Sequence, residues 1–363
     1  MIKKIIITLF LLIFSIFNLN SFVFAQEKSE ETLEAVVTQI LEEKEVEIME
    51  KKQLCQKLEL KITKGSLKGK KIVIESGNIP LVNLQKYKVG NRLILTYSKD
   101  FKGNDFFYIT DYIRRSSLSW LFVIFIILSI IIAKWRGATS LFGMGLSFLI
   151  IFKFILPNIL DGADPIQTAI FGSLIIIPIT FCLSHGFNKK TTVAIGGTII
   201  ALIITGILAG IFVESAKLTG FASEEAGFLQ VAKQGTINMK GLLLAGIIIG
   251  ALGVLDDITI SHSAIVFQLK KTNPKLKQKE LYKKAMEVGR DHITSMVNTL
   301  ILVYTGAALP LLLLFINNPH PFSEVINYEI VADEIVRTLV GSIGLILAVP
   351  ITTIIASLVV EEK

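Results

Sequence analysis

A chain of 363 residues that is 52% hydrophobic, with a mean hydropathy of +0.63, is too apolar on average for a soluble globular protein. Its 37 basic and 30 acidic side chains are unevenly spread, 17 and 14 of them falling in residues 26–115, so a watery part is set apart from an apolar one. The net charge of +7 would suggest nucleic acid in a soluble chain, but cytoplasmic loops of membrane proteins collect Lys and Arg, so the surplus is read as topology and no nucleic acid is expected.

Residues 1–25 run from Lys3 and Lys4 through an apolar stretch, Ile5 to Phe17, to small residues at Val23 and Ala25. That order is expected of a secretory signal peptide. No Cys follows it, so no lipoprotein anchor is expected. Residues 26–116 are then expected outside the cell as a β domain. Five stretches favour strands: Leu33–Leu41, Lys57–Thr63, Lys70–Glu75, Arg92–Tyr97 and Phe106–Ile113. In the second, Lys57 to Thr63 alternates charged with apolar residues, as a strand with one buried face does. Gly65, Gly69, Gly77, Gly90 and Gly103 punctuate the joins. Five short strands suggest a small closed barrel of the OB or SH3-like kind, open to a protein or ligand partner. Cys55 lies in this domain and Cys182 in an apolar run, so no disulfide and no zinc site is expected.

Residues 117–363 are expected to form a bundle of seven transmembrane helices in a lipid bilayer: Ser117–Ala133, Ala138–Asn158, Pro165–Leu183, Thr192–Val213, Gly241–Leu269, Ile293–Ile316 and Ile335–Val360. With the β domain outside, twelve basic residues fall in inside loops: Lys134, Arg136, Lys189, Lys190 and eight between Lys270 and Arg290. The outside loops hold Lys217, Lys233 and Lys240. This bias puts the C-terminus in the cytoplasm.

Ionisable groups inside spans nominate functional sites. In the fifth segment Gly246, Gly250 and Gly253 lead to Asp256 and Asp257, then Ser261 and His262. Adjacent carboxylates point about 100° apart on a helix, so one should face a cavity or a partner helix. The same pair could instead cap an interrupted helix. Asn298 and Thr299 in the sixth segment are within lateral reach if the two helices form a hairpin, and Arg290, Asp291 and His292 form a polar cluster at its cytoplasmic end. Glu334 and Arg337 stand one turn apart, a candidate ion pair. No phosphate-binding loop, metalloprotease helix or serine-nucleophile elbow is present, so no enzyme activity, cofactor or ATP engine is expected, and no metal is assigned.

The stretches Gly250 to Ser261, Gly289 to Ile293 and Asn298 to Gly306 resemble the YibE/F family of bacterial multi-pass membrane proteins, over roughly Leu118 to Val360. The resemblance implies a bacterial plasma membrane location and an exported domain followed by seven spans. It assigns no activity and carries over no catalytic residue. His262 stands where a Gln or small residue is expected and Asp256 where members vary, so Asp257 is the more securely matched carboxylate. The function expected is a proton- or cation-coupled secondary transporter or ion pathway built on Asp256, Asp257, Ser261, His262, Asn298 and Thr299, with Asp257 as the proton or cation carrier, Asp256 as its pKa neighbour and Asn298 as a polar partner. The rival is a non-transporting scaffold or sensor with an outside partner.

Overall fold

The computed structural model describes residues 30–48, 51–77, 85–99, 103–316 and 320–361; the expected signal peptide lies outside them. The chain divides into two compact units between Phe125 and Ile126.

In the first unit β1 (Glu30–Ile48), β2 (Lys51–Lys64), β3 (Lys71–Ser76), β4 (Arg92–Lys99) and β5 (Asp105–Tyr112) form one antiparallel sheet in the order β3-β2-β1-β4-β5. The period-two pattern turns Leu33, Ala35 and Val37 of β1, Leu58, Leu60 and Ile62 of β2, and Leu93 and Leu95 of β4 to one face, where all are buried. Burying such side chains contributes about 1.5–3 kcal/mol each, and this face is the unit's core. Tyr87 closes over it, held by the buried amide of Gln56, which donates to the Tyr87 carbonyl (3.1 Å) and accepts from its N–H (2.8 Å).

Two expectations change here. The sheet stays open among the described residues instead of closing into a barrel: no ladder joins β3 to β5, and Lys70 and Asp105 meet at that seam through an ion pair of 2.9 Å. The first hairpin also runs further than alternation suggested. Beyond Ile40 its arms carry Glu42, Glu43, Glu45 and Glu47 against Lys57, Gln56, Leu54 and Lys52, so the ladder continues where the apolar pattern has ended. Register shifts between Val37 and Gln39 and between Ile40 and Glu42 add twist at that change.

The helices are α1 (Arg115–Ile150), which passes through a π turn (Ile151–Ile155) into α2 (Leu156–Leu160), then α3 (Pro165–His185), α4 (Lys189–Ser215), α5 (Glu224–Ala232), α6 (Met239–Thr272), α7 (Gln278–Ala307), α8 (Leu309–Ile316), α9 (Phe322–Val325) and α10 (Glu329–Glu361). Among the described residues five helical stretches are long and apolar enough to cross a membrane, or six if the bent pair α7–α8 counts as one. This is the pattern of an integral membrane protein.

The expected count of seven differs at two places. The first two segments run on as one helical stretch, Arg115–Leu160, broken at Lys134, whose φ of 55° and ψ of −135° are not helical. Gly137 lies just past the break, where a Cβ would stand 2.2 Å from the Ser129 carbonyl oxygen. The sixth segment begins earlier, as the amphipathic α7, and bends by 71° into α8. Pro310 explains the bend, since it has no N–H to offer the carbonyl four residues back and its ring crowds that carbonyl.

The centre of the second unit is α4, α6 and α10, which pack against one another. Their close approach rests on glycines facing threonines. A Cβ on Gly197 would lie 2.3 Å from Thr352 Oγ1, and one on Gly344 would lie 2.1 Å from Thr205 Oγ1. Small residues in this role let helix backbones meet where lipid supplies no hydrophobic drive between helices. At one end of α10, the Glu329 carboxylate accepts from the Thr219 hydroxyl (2.8 Å) and the Gly220 N–H (2.9 Å). Arg337 lies 3.7 Å from Glu334 and 3.5 Å from Asp333, so the candidate pair is a three-residue cluster.

Candidate functional site

Helix α6 is the most enclosed of the long apolar helices, with 61% of its apolar window buried. Its 34 residues rise about 51 Å, which places Asp256 and Asp257 near mid-length. Leu255, Ile258 and Thr259 flank the pair and are buried against the bundle. The two carboxylates leave the helix in different directions, as their adjacency requires. Asp256 is half-buried and lines a cavity of about 310 Å³. Asp257 is exposed and lies within coulombic range of His185 at the end of α3, as do Arg136 and Lys190.

The cavity beside Asp256 is walled by Ser140, Met144, Ser147, Phe148 and Ile151 on one side and by Thr180 and Ser184 of α3 on the other. Gly143 lies where these helices meet, and a Cβ there would make ordinary contact with Thr180 Cα at 3.7 Å. Ser147 Oγ donates to the Gly143 carbonyl (3.1 Å), and Thr180 Oγ1 donates to the Ile176 (3.0 Å) and Ile177 (3.2 Å) carbonyls. With those protons directed into their own helices, both hydroxyls present acceptor lone pairs to the cavity. A larger and more open cavity of about 590 Å³ has the opposite character, lined by Lys190, Ala264, Ile265, Phe267, Gln268 and Lys271.

Helices α6 and α7 run antiparallel. His262 Nε2 meets His292 Nδ1 at 3.3 Å, and Gly250 faces the Tyr304 hydroxyl, which would lie 4.0 Å from a Cβ placed on that glycine. Both pairs fix the same register, which sets Asn298 level with Asp256. Asn298 and Thr299 are nevertheless exposed, and Thr299 Oγ1 donates to the Ser295 carbonyl (3.0 Å). Ser261 is half-buried on α6. Arg290 and Asp291 are exposed, and no ion pair joins them among the described residues.

His292, expected at the cytoplasmic end of the sixth segment, stands instead at mid-length of α7, where it stacks on His262 with ring centroids 5.4 Å apart and planes at 28°. His262 is fully buried and its Nδ1 has no partner. Gly289 gives the ring its room, because a Cβ there would stand 3.1 Å from His262 Cε1 and 2.9 Å from Val349. Nearby, Thr259 Oγ1 and Thr198 Oγ1 lie 2.7 Å apart across α6 and α4, and Ser263 Oγ donates to the Lys190 carbonyl (2.8 Å). Among the described residues no group of three or more His, Cys, Asp and Glu side chains converges as metal ligands would.

Ser147, Thr180, Thr198 and Thr205 make hydrogen bonds, and Ser140 and Ser184 line the Asp256 cavity; none was expected as a site residue, although single hydroxyls inside apolar runs are visible in the sequence. Hydroxyls in membrane helices are common, and only proximity to Asp256 separates four of these from the rest. A family model described as YibE/F-like protein matches residues 121–362. No curated protein and no solved structure matches the chain.

Proposed function

The chain belongs to the YibE/F-like family, and from that premise we propose that it is an ion-coupled secondary transporter or ion pathway of the bacterial plasma membrane, with no enzymatic activity. One observation carries the reading: a carboxylate at mid-length of the most enclosed helix opens onto a cavity lined by hydroxyl oxygens. A carboxylate at that depth is expensive unless it serves an ion or a proton. Asp256 is the carrier and Asp257, one position on, is its electrostatic neighbour. In this reading residues 1–25 are a signal peptide, residues 26–116 lie outside, and the break at Lys134 is the turn between two spans. Counting that break and the bent α7–α8 pair gives seven crossings and a cytoplasmic C-terminus.

The test is gradient-driven flux into proteoliposomes holding the full chain, followed with pH- and cation-sensitive dyes. Asp256→Asn is expected to reduce flux by at least tenfold and Asp257→Asn to shift its pH dependence. Flux unchanged by Asp256→Asn sinks the assignment.

A second reading has its own support. Val73 on β3 and Phe106 and Tyr108 on β5 are each at least half exposed, which favours a partner on the β unit. Deleting residues 26–116 separates the two: a scaffold loses its associations, whereas a transporter core keeps its flux.

A further inference from the structure

We propose that the Asp256 cavity is a binding site for a monovalent alkali cation that keeps part of its hydration shell. The inference rests on the ion-pathway reading and names the ion that pathway takes.

Size, charge and lone-pair direction each narrow the class. A volume of about 310 Å³ is about ten times the roughly 30 Å³ share of one water, so the space admits a cation together with hydration water, more than a bare proton needs. The sign is set by the lining, which holds one carboxylate and no basic side chain, in contrast to the Lys190 and Lys271 cavity. An anion is therefore repelled. One carboxylate balances one positive charge; hard divalent ions use either more carboxylates or a substrate's phosphates, and Asp257 is not among the lining residues.

The hydroxyls complete the argument. Ser147 and Thr180 spend their protons on carbonyls of their own helices, so their oxygens can only accept from, or ligate, whatever enters. Ser140 and Ser184 add two further hydroxyls to the same walls. Carboxylate and neutral oxygen donors together are the hard-ligand set that suits alkali cations, and no Cys or imidazole in the lining offers a softer metal an advantage.

The test measures binding without a membrane gradient, on the full chain purified in detergent. The probes are sodium and potassium chloride against choline chloride at equal ionic strength, read by thermal unfolding and by ²²Na⁺ or ⁸⁶Rb⁺ binding. An alkali ion is expected to raise the melting temperature where choline does not, and to bind with one site per chain. Asp256→Asn is expected to abolish the alkali-specific increment. Ser147→Ala and Thr180→Val, which leave the charge in place, are expected to weaken binding by about tenfold each. The proposal is overturned if the native chain distinguishes neither alkali ion from choline, if only magnesium or calcium gives the increment, or if Asp256→Asn retains it. Because the native chain is compared across salts, the result stands even where a variant fails to fold. Flux that persists without alkali binding removes this site and leaves the pathway reading. Alkali binding without flux does the reverse.

Discussion

At the scale of residues, the structure sorts the polar groups of α6 by direction. Asp256 and Asp257 are neighbours in sequence, yet one faces a hydroxyl-lined cavity and the other is exposed toward His185. Sequence alone favoured Asp257, through the family resemblance; the cavity favours Asp256. His262 and His292 were assigned to separate groups, thirty positions apart, and are in contact. The His262 ring has one buried nitrogen already unpartnered, so its link to His292 satisfies the other. Removing that partner by His292→Ala should destabilise the fold by about 1–3 kcal/mol, the cost of orphaning a buried polar atom. Replacing both rings by Leu should recover part of the loss, because no polar atom is then left unpaired. A double-mutant cycle on melting temperatures checks this, and strict additivity would count against the pairing.

At the scale of elements, periodicity found the strands and the apolar helices, and missed how far the first hairpin runs and where the sixth segment bends. Lys57 to Thr63 alternates as a half-buried strand must, so β2 was legible from its centre outward. The charged arms of the first hairpin were not, because their ladder is held by backbone pairing in water and leaves no apolar stripe. The Pro310 bend could have been anticipated from proline's missing donor, whereas the break at Lys134 falls where the sequence already separates the first two segments, after Ala133. Glycines are visible in the sequence, but the helix each one meets is not. Gly344 is a specific case: Ala there would press its Cβ against Thr205 Oγ1, which is itself committed to the Ala201 carbonyl. Gly344→Ala should therefore cost about 1–3 kcal/mol through overpacking of α4 against α10. Thr205→Ala in the same chain should relieve it, and chemical denaturation in mild detergent reads both. If Gly344→Ala alone is stabilising, the helices are not as close as described.

At the scale of the whole molecule, the β unit and the helical unit face different tests. In the β unit the Arg115 guanidinium holds the Glu34 carboxyl below the usual range, Lys86 does so for Glu43, the Thr38 hydroxyl and then Lys71 for Glu59, and Lys70 for Asp105. A carboxyl lowered on folding adds stability above its unfolded pKa, and that stability is lost as pH falls through the lowered folded value. Hydrogen-exchange protection in β1 and β4, corrected for intrinsic rates, should thus be constant near neutrality. It should fall once the pH drops below about 4.5, the ordinary glutamate value. Protection that holds to pH 2 would contradict it. For the helical unit, single cysteines introduced near Lys277 and Ser66 in a cysteine-free background should react oppositely with an impermeant maleimide, the first only after permeabilisation. Composition and hydropathy by themselves determined that the chain has a watery part and a membrane part, because burial in lipid demands about 20 apolar residues per crossing wherever they fold. The signature stretches around Asp256 and His292 likewise sufficed to name the family. Only the tertiary structure decided that the sheet stays open, that His292 reaches His262, and that Asp256 shares one cavity with Ser147 and Thr180. Those arrangements bring together residues tens of positions apart, and their geometry depends on helix rotation and crossing, which a one-dimensional pattern of polarity does not contain.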